Sequence, residues 1–162
     1  MAVAIQVAGP CLVKTDTGSA NALESLGYTR DGAQITFDGY MLDVPVDDNG
    51  GEAGPPADVQ YMGETATIVL NLTKYDSAVI AKVTPRLYGG TDGQVGTPGT
   101  LFFGDSKSYR LLLATTLLPY NFVRAILRSA NEVNKGTKFS EYRLVWTAYK
   151  NASSVLWNTT VV

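Results

Sequence analysis

The chain contains no histidine and a single cysteine among its 162 residues. Without histidine it lacks the commonest general base and the commonest metal ligand. One cysteine cannot close an internal disulfide. Cys11 sits in the apolar run Cys-Leu-Val and reads as a small buried hydrophobe. Charge is also scarce. Charged residues make up 17% of the chain, where about a quarter is usual, so less charge keeps copies apart. No run approaches the ~20 apolar residues of a membrane helix, and the first ten residues lack the basic start and long apolar core of a secretory signal. The protein is therefore expected to be soluble and made in a cytoplasm.

The chemical motifs are missing as well. There is no glycine-rich phosphate loop ending in Gly-Lys-Ser or Gly-Lys-Thr, no Gly-x-Ser-x-Gly elbow and no pair of cysteines or histidines for zinc. Asp47 and Asp48 are adjacent, but paired catalytic carboxylates need a rigid cleft, which a glycine-rich loop does not provide. The sequence assigns no catalytic residue, no metal ligand and no cofactor.

What is present suits one β-rich domain spanning 1–162. The length can bury a core, and hydrophobic residues make up 45%. Sixteen glycines and seven prolines lie between short apolar runs, which implies many turns. Ala2 to Val7 reads as a strand or arm, and Cys11 to Lys14 as a short strand. Ala33 to Phe37 is a firm strand. Asp38-Gly39 is a two-residue hairpin signal, because both residues tolerate positive φ. The returning strand covers Tyr40 to Val46. Asp47 to Pro56 is a long acidic loop rich in glycine and proline. It can be read as a surface loop, as a calcium loop without EF-hand spacing, or as a segment that orders against a neighbouring subunit.

Glu64 to Leu72 alternates strictly, with Ala66, Ile68, Leu70 and Leu72 on one face. A short helix follows, capped by Thr73, with Tyr75, Val79 and Val83 along one side and Pro85 ending it. Lys107 to Thr116 and Glu141 to Tyr149 read as strands. Phe122 to Val133 fits a helix through Phe122, Ile126 and Val133 or a strand, and is read as a strand. Val155 to Val162 reads as a last short strand or an arm, for seven or eight strands in all. The expected fold is mainly β, a sandwich or barrel with one short flanking helix and a long loop.

Charge is distributed unevenly along the chain. Asp31 to Thr73 holds eight acids and no base, whereas Lys74 to the end holds eleven bases and five acids. The two parts either neutralise each other within one subunit or meet between identical copies, head to tail.

The order of Leu26–Phe37 (LGYTRDGAQITF), Asp43–Gly51 (DVPVDDNGG) and Ala57–Thr73 (ADVQYMGETATIVLNLT), followed by a short helix, resembles the major tail tube proteins of tailed bacteriophages. Glu141–Leu156 (EYRLVWTAYKNASSVL) looks like the family's closing strand, with Asn151 where an Asp-containing turn is usual. The resemblance covers roughly Leu26 to Tyr149. It implies a virion structural protein made in the host cytoplasm, whose subunits form hexameric rings. Those rings would stack into a tail tube through a long loop and terminal arms, and contact other tail proteins. DNA would pass through an acidic lumen without specific binding.

On that reading Asp38 and Asp43 lie near the lumen. Asp47, Asp48 and Glu52 serve ring stacking, with Arg124, Arg128 and Arg143 as basic partners. Two other readings remain open. One is a capsid decoration or neck protein of a tailed phage. The other is a carbohydrate-binding sandwich using Trp146 or Trp157.

Overall fold

Strict alternation of apolar side chains dictates how these strands pack. The computed structural model describes residues 10–16, 23–84, 98–99, 101, 109–115, 118–128, 132–134, 136 and 140–160. The strand or arm expected at Ala2 to Val7 lies outside them. Among the described residues the strands are β1 (Leu12–Asp16), β2 (Leu23–Val44), β3 (Asp58–Tyr75), β4 (Tyr109–Ala114), β5 (Tyr120–Leu127), β6 (Glu132–Asn134), β7 (Glu141–Ala148) and β8 (Trp157–Asn158), and one α-helix, α1 (Ser77–Val83), follows β3.

All pairings are antiparallel, in the order β6-β7-β3-β2-β1-β4-β5-β8. A further pairing of β5 with β7 closes the sheet on itself. The closed circuit is therefore β7-β3-β2-β1-β4-β5, with β6 and β8 added outside it. The expected mainly β fold with one short helix is what forms, and its β layer is a closed barrel.

Ala66, Ile68, Leu70 and Leu72 are fully buried, as their spacing requires, and so are Leu144, Trp146 and Ala148 on β7. Val13, Leu26, Leu111, Leu113 and Phe122 meet them from the remaining strands. Where β3, β7 and β5 run abreast, Ala66, Ala148 and Ala125 stand in one register row. Three side chains this small let the strands close tightly. At the base of β2, Gly27 has φ +149°, and a Cβ there would lie 2.2 Å from the carbonyl oxygen of Lys74. Only glycine fits this approach.

The helix starts later than the sequence suggests. Thr73 belongs to β3, and the cap is Asp76, whose Oδ1 accepts from the backbone N–H groups of Ala78 at 2.9 Å and Val79 at 3.3 Å. Val79, Ile80 and Val83 turn into the core, and Lys82 Nζ lies 2.8 Å from Glu24 Oε2, tying α1 to β2.

The Asp38-Gly39 hairpin does not form. Asp38 pairs with Thr65 and Gly39 with Glu64 inside a continuous β2–β3 ladder that runs on to Val44 and Asp58. The turn lies at 45–57 instead. A two-residue turn at Asp38 would have cut apart a run whose cross-strand partners all lie in 58–70, and that longer ladder prevails.

Candidate assembly surface

Only part of the β2–β3 hairpin belongs to the barrel. β7 covers β3 from Ala66 to Leu72, and β1 covers β2 only up to Tyr28. Beyond these limits 37–44 and 58–65 continue as a two-stranded ribbon, roughly 25 Å long at about 3.3 Å per residue. Among the described residues nothing pairs with its outer edges. Each edge carries backbone donors and acceptors that can receive another strand.

The ribbon is also apolar on the outside. Met41 is 62% exposed, Met62 58% and Tyr61 57%, and Phe37, Tyr40, Leu42 and Val59 are exposed as well. So many large apolar side chains together mark an interaction surface. Register sorts them. Phe37 pairs with Ala66, and Met41 and Asp43 pair with Tyr61 and Val59, on the face continuous with the barrel core. Thr36, Asp38 and Tyr40 stand with Thr67, Thr65 and Gly63 on the opposite face. Met62 is the extra residue of a bulge between these halves, and Gly63 adopts φ +128° there.

Side-chain bonds follow the same division. On the face away from the core, Thr67 Oγ1 donates to Asp38 Oδ2 at 3.3 Å, and the hydroxyls of Tyr40 and Thr65 are 3.4 Å apart. On the other face Tyr61 Oη donates to Glu64 Oε2 at 3.4 Å. Desolvation first, then the charge of Glu64 and its hydrogen bond, raise the pKa of Tyr61.

Asp38 and Asp43 are both exposed, but they lie on opposite faces, so one flat wall cannot present both. Asp47, Asp48 and Glu52 gather at the tip, in two short 3-10 turns at Asp47–Asn49 and Gly51–Ala53. The loop holds itself in this shape within one chain. Gly51 N donates to Val46 O at 3.1 Å and Ala57 N to Val44 O at 3.0 Å. An open cleft beneath the tip is lined by Asp43, Pro45, Glu52, Gly54 and Pro56. Among the described residues no group of three or more His, Cys, Asp or Glu side chains is arranged to hold a metal ion.

The basic residues lie elsewhere. The backbone oxygen of Arg124 on β5 accepts from Tyr149 N at 2.8 Å, and Arg128 N donates to Val145 O at 2.7 Å. Arg128 Nη1 also reaches Tyr149 Oη at 3.5 Å. Arg143 on β7 is in register with Asn71 and Glu132. Some charge is neutralised within the subunit. Arg30 Nη1 lies 2.8 Å from Glu141 Oε1, and that hydrogen bond, followed by the charges of Glu141 and Asp31, raises the Arg30 pKa. Among the described residues, Asp38, Asp43, Asp47, Asp48 and Glu52 form no ion pair. The structure therefore does not bring the expected acidic and basic sets together inside one chain.

Sequence reasoning missed the apolar character of the ribbon. Its signal was the unalternated Tyr40-Met41-Leu42 and Tyr61-Met62, where a strand with one wet face would alternate. The carbohydrate reading loses its platform. Trp146 is fully buried, and Trp157 is half-buried with its ring 4.7 Å from that of Tyr120.

No family model matches the sequence, and neither does any curated protein. Solved structures do. A chain in the tail of an empty gene transfer agent particle with C6 symmetry superposes with a TM-score of 0.53 at 15% identity, covering 93% of this chain and 96% of that one. This fold is shared with a particle tail. A second match, from the virion of a native gene transfer agent particle, has a TM-score of 0.52 at 12% identity over 93% of this chain and 95% of that one. The resemblance drawn from the sequence motifs is borne out at the level of the fold. Among the described residues no helix is long and apolar enough to cross a membrane.

Proposed function

We propose that this chain is a virion structural protein whose copies join into hexameric rings, and that the rings stack into the tube of a phage-type tail. The observation that carries the reading is the ribbon, with two edges that no described residue pairs and exposed apolar side chains on both faces. Its edges differ, one belonging to β2 and the other to β3. Copies pointing the same way can pair the β2 edge of one with the β3 edge of the next, antiparallel. Such a contact between unlike surfaces repeats around a ring. The number six is supported by the C6 symmetry of the particle whose tail holds the similar chain.

Thr36, Asp38, Thr65 and Thr67 then form a wall of hydroxyls and carboxylate that DNA can pass without sticking, because negative charge repels phosphate. Asp43, Asp47, Asp48 and Glu52 at the tip serve stacking onto the next ring, with Arg124, Arg128 and Arg143 as basic partners. The protein is made in the host cytoplasm, ends in the virion tail, meets other tail proteins there and performs no catalysis.

Negative-stain microscopy and analytical ultracentrifugation of the purified chain test this. Rings or tubes are expected at high concentration. Monomers at every concentration and salt overturn the reading. A closed trimer that never stacks points to a decoration or neck role.

A further inference from the structure

We propose that Asn49-Gly50, at the tip of the ribbon, is a self-modifying site that ages the free subunit. It is the chain's one Asn-Gly pair. The backbone nitrogen of Gly50, after losing its proton to hydroxide, attacks the carboxamide carbon of Asn49. A carbon–nitrogen bond forms, the carboxamide nitrogen leaves as ammonia, and a five-membered succinimide results. Water then opens the ring at either carbonyl to give aspartate or isoaspartate. The net change is asparagine plus water to aspartate plus ammonia, so no other reactant is needed.

Three observations single out this position. Gly50 has no side chain to hinder its nitrogen. That nitrogen is held by one long bond, 3.3 Å to Asp47 O, within a single 3-10 turn. Exposed loop tips open at little cost. Of the other described asparagines, Asn71 and Asn121 lie in ladders and precede Leu72 and Phe122, Asn134 and Asn158 pair within β6 and β8 and precede Lys135 and Thr159, and the Asn151 oxygen accepts from two backbone N–H groups. Asp31-Gly32 and Asp38-Gly39 can close the same ring only by losing water, with no net change of mass or charge on reopening, and they lie inside β2.

Conversion takes the net charge from −2 to −3, and it adds the charge to a loop that already holds Asp47, Asp48 and Glu52. Isoaspartate also inserts a backbone carbon, which breaks the turn. Both outcomes disfavour docking of the tip. Burial of the tip between rings would hold it closed, and this shielding rests on the stacking reading above.

The test uses the full chain, kept dilute and free or assembled into tubes, at mildly alkaline pH. Trypsin releases Asp31–Lys74 as one peptide, because no base lies between Arg30 and Lys74. It contains both Asn49 and Asn71, so fragmentation mass spectrometry compares them directly. In the free subunit, conversion at Asn49 is expected to be several-fold faster than at Asn71, and equal rates overturn the site. In tubes, Asn49 is expected to slow several-fold, and an unchanged rate overturns the shielding while leaving the site intact. Asn49→Ser should abolish the mass gain and assemble normally, whereas Asn49→Asp should assemble more slowly. Equal assembly by these two variants overturns the link between charge and docking.

Discussion

At the scale of single residues, Asn151 shows how one atom can stand in for another. Its Oδ1 accepts from Ser153 N at 3.0 Å and Val155 N at 2.9 Å, which allows Ser154 its φ of +61°. A carboxylate would accept the same bonds, so the departure from an Asp-containing turn leaves the turn's geometry intact. Asn151→Ala is expected to cost about 1 to 2 kcal/mol in urea unfolding, and Asn151→Asp far less. Cys11 gives a second prediction. Burial raises its pKa from 9.0, and the hydrogen bond with Thr29 opposes this only in part. The unfolded thiol therefore ionises first. Its contribution is complete below 9.0 and is lost as pH rises from there through the folded value. Cys11→Ala should show a shallower loss of stability in alkaline thermal melts, and identical slopes would refute the assignment.

At the scale of elements, the ribbon and the barrel are separable. The barrel core draws on β2 only up to Ile35 and on β3 from Ala66 onward. Replacing Tyr40 to Met62 with a tight turn should leave the circular-dichroism melt cooperative and abolish self-association in ultracentrifugation. Loss of the cooperative melt would show that the ribbon supports the fold.

The same boundary explains what could be read from the sequence. Ala66, Ile68, Leu70 and Leu72, and Leu144, Trp146 and Ala148, were legible because burial on one face leaves a period of two. Asp38-Gly39 misled because its turn preference is local, whereas its fate was settled by partners more than twenty residues away. Thr73 looks like a helix cap by the same local logic, but β3 continues to Tyr75. The acids of the ribbon were legible as a block without bases. Their division between two faces needed the register, whereas the ribbon's apolar character left its trace in the unalternated Tyr40-Met41-Leu42 and Tyr61-Met62.

At the scale of the whole molecule, barrel closure depends on a short contact. β5 meets β7 through Ala125–Ala148, Ile126–Thr147 and Leu127–Trp146, and the alanine row sits where the ribbon leaves the barrel. Ala148→Leu adds volume between Ala66 and Ala125 and is expected to cost about 1 to 3 kcal/mol, read as a lowered melting temperature. Charge acts over the same range. Acids concentrated in the ribbon and bases on β5 and β7 predict that assembly weakens as salt rises. Asp47→Asn combined with Asp48→Asn should flatten that salt dependence, as measured by light scattering. An unchanged slope would place the electrostatic contact elsewhere.

The long hairpin has one more consequence. Its inner stretch answers to the core and its outer stretch to whatever touches it, so two kinds of selection act on a single pair of strands. Lesions near Ile68 should appear as insoluble protein. On the assembly reading, lesions near Tyr61 should yield soluble protein that no longer assembles, and should be rescued by second-site changes on the opposing surface of an identical chain.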